Sequence, residues 1–104
     1  MSRNPPHQWL LIIEPPAQEM FDTLTPSVKR TIFRHLRELL QADDPYNLTF
    51  VEMLRETKYQ RMRKFRAGNF RVLYAIESVS ITHLKHEYKG VLYLLDIWER
   101  KDAY

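Results

Sequence analysis

The sequence predicts a single α+β domain over residues 1–104, with two helices and a small sheet in the order β-α-α-β-β-β. Three observations lead to this fold class. The chain has 104 residues, which is the usual length of one domain. Its first half carries apolar residues at helical spacing, and its second half alternates apolar and polar residues as strands do.

The first half of the chain contains one strand and both helices. The run WLLIIEPP at 9–16 is apolar and β-branched, and two prolines end it, so it is predicted to be a strand. A short helix is predicted over 17–24. The clearest helix follows Thr25 or Ser27, either of which can cap it, and ends at the DDP sequence of 43–45. The apolar stripe of this helix consists of Val28, Ile32, Leu36, Leu39 and Leu40.

The second half of the chain is predicted to form the rest of the sheet. Residues 46–57 are mixed in character and indicate a loop. Strands are predicted over 59–66 and 70–77, joined by a tight turn, and over 91–98. The segment 78–90 between them either extends the hairpin or forms a loop, and the sequence does not decide between the two.

The composition excludes several kinds of site. The chain has no cysteine, which excludes disulfides and cysteine-ligated metals, and its two glycines exclude phosphate-binding glycine-rich loops. His83 and His86 lack a third ligand, so we expect exposed histidines, no metal and no cofactor. No apolar run reaches the roughly 20 residues of a membrane span. Without an export signal either, the expected location is the cytoplasm, with no attachment to a membrane.

The positive charge of the chain is concentrated in one segment. The formal net charge is +3, from 16 basic and 13 acidic residues. Residues 58–71 hold six of the basic residues and no acidic one, so the remainder carries 10 basic and 13 acidic residues. A concentrated basic patch is typical of proteins that bind polyanions.

A two-residue turn at Gly68 and Asn69 brings these like charges together. Glycine suits the first position of a type II′ turn, and both residues tolerate a type I′ turn. Arg66 then lies opposite Arg71 on one face of the hairpin, with Lys64 beside them. Like charges that face each other across two strands cost about 0.2–1 kcal/mol. Because guanidinium groups bind phosphate through two parallel hydrogen bonds, we interpret this exposed face as a phosphate-binding surface.

The other face of the hairpin is apolar and is predicted to lie under the helices. Arg61 and Arg63 have the same parity as this apolar set, so they point toward the helix-covered side or its rim. Trp9 and Trp98 fall in predicted strands and are interpreted as core residues rather than as base-stacking surfaces. The apolar set consists of Phe65, Phe70, Val72, Tyr74 and Ile76.

The basic residues and tyrosines suffice for one kind of metal-free chemistry. Cleavage of RNA by attack of its own 2′-hydroxyl needs a base for that proton, an acid for the leaving oxygen and cations for the charge on the phosphorane. Lys64 is a candidate base, Arg66 and Arg71 are candidate cations, and a tyrosine is a candidate acid.

Three segments of the sequence carry a resemblance to a known family. They read WLLIIEPPAQEMFDTL at 9–24, RKFRAGNFRVLYAIE at 63–77 and LYLLDIWERKDAY at 92–104. Together they resemble the RelE/ParE toxin superfamily of bacterial toxin–antitoxin systems over nearly the whole chain. The resemblance implies a compact fold, in which two N-terminal helices pack on a small twisted, mostly antiparallel sheet, and a cognate antitoxin as partner. RelE-like members are ribosome-dependent endoribonucleases that cut mRNA in the ribosomal A site.

The resemblance also implies roles for individual residues. Lys64 matches a catalytic lysine, Arg71 matches the arginine that stabilises the scissile phosphate, and Tyr104 matches a C-terminal tyrosine of RelE-like toxins. These three residues are the candidate catalytic set. Four further cations are candidates for binding the RNA backbone: Arg61, Arg63, Arg66 and Arg100.

The sequence departs from the family pattern at three positions. A second family lysine falls on Met62, which two arginines flank. A further family arginine falls on Trp98, for which Arg100 is the nearest replacement. Many relatives carry histidine where this chain has Glu99, which is therefore a second candidate base.

The sequence leaves three functions open. The first is a toxin that cleaves mRNA on the ribosome without metal or cofactor and is neutralised by an antitoxin. The second is a ParE-like inhibitor of DNA gyrase without nuclease activity. The third is a non-toxic homologue that binds RNA or an antitoxin. A pair of cations on one face favours the first, because a gyrase-binding surface does not require a phosphate clamp.

Overall fold

Two helices cover one face of a five-stranded mixed sheet. The computed structural model describes residues 7–54 and 62–100. The elements are β1 (Trp9–Ile13), α1 (Pro15–Asp22), α2 (Pro26–Gln41), β2 (Val51–Met53), β3 (Met62–Ala67), β4 (Phe70–Glu77), β5 (Ile81–His83), β6 (His86–Tyr88) and β7 (Gly90–Glu99). The strand order is β1-β7-β4-β3-β2, with β1 and β7 parallel and the other neighbours antiparallel. The predicted α+β class is confirmed.

Both helices begin at proline, whose fixed φ angle suits the first helical turn. Pro15 and Pro16 occupy the first positions of α1, so this helix begins two residues before the predicted 17–24. Pro26 opens α2, and the Thr25 hydroxyl caps it by accepting a hydrogen bond from the Val28 N–H at 3.5 Å. Thr25 is therefore the cap, one of the two residues that the sequence offered.

The hydrophobic core lies between the helices and the sheet. The apolar stripe of α2 is buried at four of its five predicted positions, and its first residue packs against the core. Tyr74 is fully buried, and its hydroxyl donates to the Pro45 carbonyl at 2.7 Å. The buried sheet residues include Trp9, Phe65, Val72, Tyr74, Ile76, Leu92, Leu94 and Ile97. In the described parts of the chain, neither helix has the length and apolar character needed to cross a bilayer.

The β3–β4 hairpin has the register that the sequence predicts. Gly68 adopts a positive φ of 61°, whereas Asn69 does not, which is the pattern of a type II′ turn. Ala67 therefore pairs with Phe70, and Arg66 pairs with Arg71. This turn decides which side chains share a face along both strands.

Three short strands were not predicted. Strand β2 lies within the segment predicted as a loop, and it extends the sheet beside β3. The undecided segment 78–90 forms a separate hairpin of β5 and β6. Its turn residues Leu84 and Lys85 both have positive φ, at 48° and 69°, a conformation for which glycine or asparagine is usual.

A β-bulge in β7 changes which of its side chains face the helices. Leu73 pairs with Asp96, but the next residue of β4, Tyr74, pairs with Leu94, so Leu95 is the extra residue. Beyond the bulge, Ile97 faces the core together with Val72. The alternation of β7 is thus reversed for the residues that follow Leu95.

Candidate phosphate-binding face

Among the described residues, neither α1 nor α2 covers the second face of the sheet, which we call the open face. Strand pairing places Arg66 of β3 directly opposite Arg71 of β4 on this face, and Lys64 of β3 opposite Leu73. Phe65, between Lys64 and Arg66, is fully buried on the helix side. We call Lys64, Arg66 and Arg71 the cationic cluster. Its members lie on one face because side chains alternate along each strand.

The members of the cationic cluster differ in exposure. Arg66 is exposed and Lys64 is half-buried. Arg71 is only 7% exposed, and it is the one charged residue among those that the structure describes as buried. The expectation of a uniformly exposed surface is therefore wrong for Arg71, because β4 is a central strand with a neighbour on each side.

Arg71 is a buried cation that forms no ion pair with any described carboxylate. Burial lowers the pKa of Arg71, the charges of Arg66 and Arg100 lower it further, and the carboxylate of Glu52 opposes them. Within residues 7–54 and 62–100, its one hydrogen bond goes from Nη1 to the Phe70 carbonyl, at 3.4 Å. An arginine still keeps its charge at neutral pH. Arg71 therefore carries a positive charge and several N–H donors for which no described residue is the acceptor.

The described carboxylates leave the cationic cluster unneutralised. Within residues 7–54 and 62–100, Lys64, Arg66 and Arg71 form no salt bridge. Because an unpaired buried charge is unfavourable, this arrangement lowers the stability of the free protein. A bound anion would remove that penalty.

Glu52 is a residue of this face that the sequence reasoning missed. It lies in β2 directly opposite Lys64. Two other carboxylates of the open face are already engaged, since Asp96 accepts from the Ile97 N–H at 2.8 Å and Glu77 accepts from the Tyr93 hydroxyl at 3.3 Å. Glu52 therefore places a proton acceptor beside the cations. The three-residue strand that carries it is too short to give a periodic signal in the sequence.

The other predicted site residues are distributed around this cluster. Arg100 is exposed, its backbone N–H donates to the Asn69 carbonyl at 2.7 Å, and its charge acts on Arg71. Arg63 lies on the other face with its guanidinium carbon 4.6 Å from the centre of the Tyr46 ring. Glu99 pairs with Phe70, so its side chain also lies on the helix-covered face, whereas Arg71 lies on the open face. Arg61 and Tyr104 lie outside the described residues.

The two histidines considered as metal ligands lie in the separate hairpin. His83 of β5 pairs with His86 of β6, next to the turn, and His83 is exposed. Among the residues that the structure describes, no group of three histidine, aspartate or glutamate side chains is arranged to hold a metal ion.

The two tryptophans have different environments. Trp9 is 5% exposed and lies in the core, as predicted. Trp98 is half-buried and pairs with Arg71 on the open face, so its assignment to the core is wrong. The bulge at Leu95 is the reason, because regular alternation from Leu94 would have turned Trp98 toward the helices.

Comparison with known proteins identifies the fold. No protein-family model and no curated protein matches the sequence. Among solved structures, the chain is similar to a chain of the crystal structure of the archaeal RelE–RelB complex from Pyrococcus horikoshii, with a TM-score of 0.62 and 18% sequence identity. The match covers 92% of this chain and 99% of the other. The protein therefore has a RelE-like fold, which confirms the fold that the resemblance implied.

Proposed function

We propose that the protein is the toxin of a type II toxin–antitoxin system and that it cleaves mRNA on the ribosome. The main support for this proposal is the cationic cluster, in which Arg71 is buried opposite Arg66 and forms no salt bridge with a described carboxylate. A fold that only had to be stable would gain by replacing one of these arginines. A phosphate group between them supplies the missing negative charge.

The arrangement supports cleavage by transfer of the RNA backbone to its own 2′-hydroxyl. The 2′-oxygen attacks the adjacent phosphorus, the bond to the 5′-oxygen breaks, and the products are a 2′,3′-cyclic phosphate and a 5′-hydroxyl. Arg71 and Arg66 stabilise the additional negative charge on the phosphorane. This assignment uses only groups that lie on the open face.

Two protons move in this reaction. The proton of the 2′-hydroxyl goes to a base, for which Glu52 and Lys64 are the candidates because they lie opposite each other beside the arginines. The leaving 5′-oxygen receives a proton from an acid. Tyr104 is our candidate for this acid on the basis of the family resemblance.

The RelE–RelB complex has a second component, RelB, and we propose that an antitoxin likewise binds this chain. Neutralisation of the cationic cluster by acidic residues of that antitoxin would exclude RNA from the open face. The ribosome and mRNA are the partners that we propose for the free toxin.

Expression in a bacterium without the antitoxin tests the proposed function. We expect growth arrest and new RNA 5′ ends within codons of ribosome-bound mRNA. Lys64→Ala and Arg71→Ala are expected to relieve the arrest, because each removes a cation from the RNA-binding face. Arg30→Ala is the matched control, since Arg30 is exposed on α2, on the other side of the sheet.

The readout also separates the alternatives. Each variant is purified and its circular dichroism and melting temperature are compared with those of the wild type, so that loss of folding is recognised. Intact mRNA together with trapped gyrase–DNA complexes would contradict the proposal and identify a gyrase inhibitor. Normal growth of cells that accumulate the folded wild-type chain would identify a non-toxic homologue.

A further inference from the structure

The bulge in β7 places an aromatic side chain beside the cationic cluster. Residues before and after Leu95 alternate out of phase, so that Leu94 and Ile97 both face the core and Trp98 faces away from it. Bulges are frequent beside functional sites, where they redirect a side chain. Here the redirected side chain lies directly opposite Arg71.

Trp98 differs from Trp9 in the use of its indole ring. The Trp9 indole N–H donates to the Ala42 carbonyl at 2.8 Å, and the ring is buried in the core. Among described residues, Trp98 has no hydrogen bond, ring contact or cation–π contact. A large half-buried indole that no described residue engages in this way is available to a ligand.

The neighbours of Trp98 indicate the kind of ligand. Across the strand pairs, Trp98, Arg71 and Arg66 form one row of the open face. Arg100 lies two residues beyond Trp98, and Asp96, two residues before it, is engaged by the Ile97 N–H. An aromatic ring beside unneutralised guanidinium groups matches a nucleotide, which combines an apolar planar base with a charged phosphate.

We propose that Trp98 is a stacking surface for an unpaired nucleobase whose phosphate is bound by Arg66 and Arg71. This assignment rests on the proposed function and adds to it a residue that selects single-stranded RNA. A base in a duplex is covered on both faces by its neighbours, so it cannot stack on the indole without leaving the helix. Phosphate contacts alone do not make this distinction.

Binding of short oligonucleotides tests the role of Trp98. The probe is an RNA hexamer with 2′-fluoro groups, which cannot be cleaved because the attacking hydroxyl is absent. In a set of further hexamers, each lacks the base at one position but keeps every phosphate. We expect the intact hexamer to quench tryptophan emission and to bind roughly 5 to 150 times more tightly than the weakest abasic hexamer, which is the usual range for one stacked base.

Substitution of Trp98 tests the same contact from the side of the protein. In Trp98→Leu, an apolar side chain remains but the indole is lost, so the quenching should disappear and the intact and abasic hexamers should bind equally. Trp98→Phe should retain part of the preference for the intact hexamer, because a smaller ring still stacks. The melting temperature of each variant is measured, and Trp98→Phe serves as the test if Trp98→Leu does not fold.

Different binding results would contradict the stacking role of Trp98 and the phosphate-binding function. If wild type binds the intact hexamer and every abasic hexamer equally, the stacking role is wrong while the phosphate-binding function stands. If neither kind of hexamer binds at low salt, the stacking role is wrong, while the proposed function is judged separately from the RNA ends mapped on ribosomes. Equal quenching by poly-glutamate would assign Trp98 to a surface for acidic protein segments, which also contradicts the proposal.

Discussion

Replacement of Arg71 by methionine is expected to abolish most RNA cleavage and, at the same time, to stabilise the protein. The cleavage rate should fall by a factor of about 100 to 1,000, the usual effect of removing one group that stabilises charge in a transition state. The free energy of unfolding should rise by about 1 kcal/mol, which corresponds to an increase in melting temperature of about 4–8 °C for a domain of this size.

Both effects follow from the environment of one side chain. Arg71 is 7% exposed, faces Arg66 across the strand pair and has no described carboxylate as partner. Replacement of buried charged groups by apolar ones of similar volume is often stabilising. Methionine is unbranched and flexible, so it can fill the space of the arginine stem without the charge.

Single-turnover cleavage on ribosomes and thermal unfolding measure the two effects. Arg71→Lys is the control, because it keeps the positive charge but cannot bind phosphate through a planar pair of donors. It should lose most of the cleavage without the gain in stability. A marked loss of stability in Arg71→Met would show that Arg71 supports the fold, and an unchanged cleavage rate would remove it from the site.

Gly90→Ala is expected to have the largest effect on stability. Gly90 is a buried residue of β7, paired with Trp9 of β1. An added Cβ would overlap the Glu77 carbonyl oxygen and would lie 2.9 Å from Trp9 Cζ3. Neither the backbone of β4 nor a core indole can move aside easily. We expect the free energy of unfolding to fall by about 4 kcal/mol or more, which is exceptional for one substitution and is typical of severe steric conflicts.

Urea unfolding of Gly90→Ala and Gly68→Ala separates steric overlap from backbone conformation. Gly68 has a positive φ of 61°, but the nearest other atom to an added Cβ is Val28 Cγ2 at 4.0 Å. Gly68→Ala should therefore lose only the roughly 1–2 kcal/mol of a left-handed non-glycine residue. A Gly90→Ala variant as stable as Gly68→Ala would show that β4, β7 and β1 do not approach each other closely at Gly90.

Local signals in the sequence are sufficient to predict the β3–β4 hairpin and the two helices. The pair Gly68 and Asn69 specifies a two-residue turn, and a two-residue turn fixes the register of every pair in β3 and β4. The opposition of Arg66 and Arg71 followed from this register. The cap at Thr25 was similarly visible, because capping depends on residues within one turn.

Features that depend on contacts between distant parts of the chain could not be predicted from the sequence. The parallel pairing of β1 with β7 joins residues about eighty positions apart, and β2 has only three residues, so Glu52 was missed. The bulge at Leu95 has no sequence signature here, and Trp98 was therefore assigned to the wrong face. The low exposure of Arg71 results from the central place of β4 in the sheet, which no local pattern indicates.

The salt dependence of RNA affinity tests most directly whether the cationic cluster binds phosphate. For single-stranded RNA, each phosphate contact adds about 0.7 to the slope of log affinity against log salt concentration. We predict that Arg66→Gln and Arg71→Met each lower this slope by about 0.7, and that Arg30→Gln on α2 leaves it unchanged. Slopes equal to that of the wild type in both cluster variants would contradict the account, because the RNA backbone would then lie elsewhere on the protein.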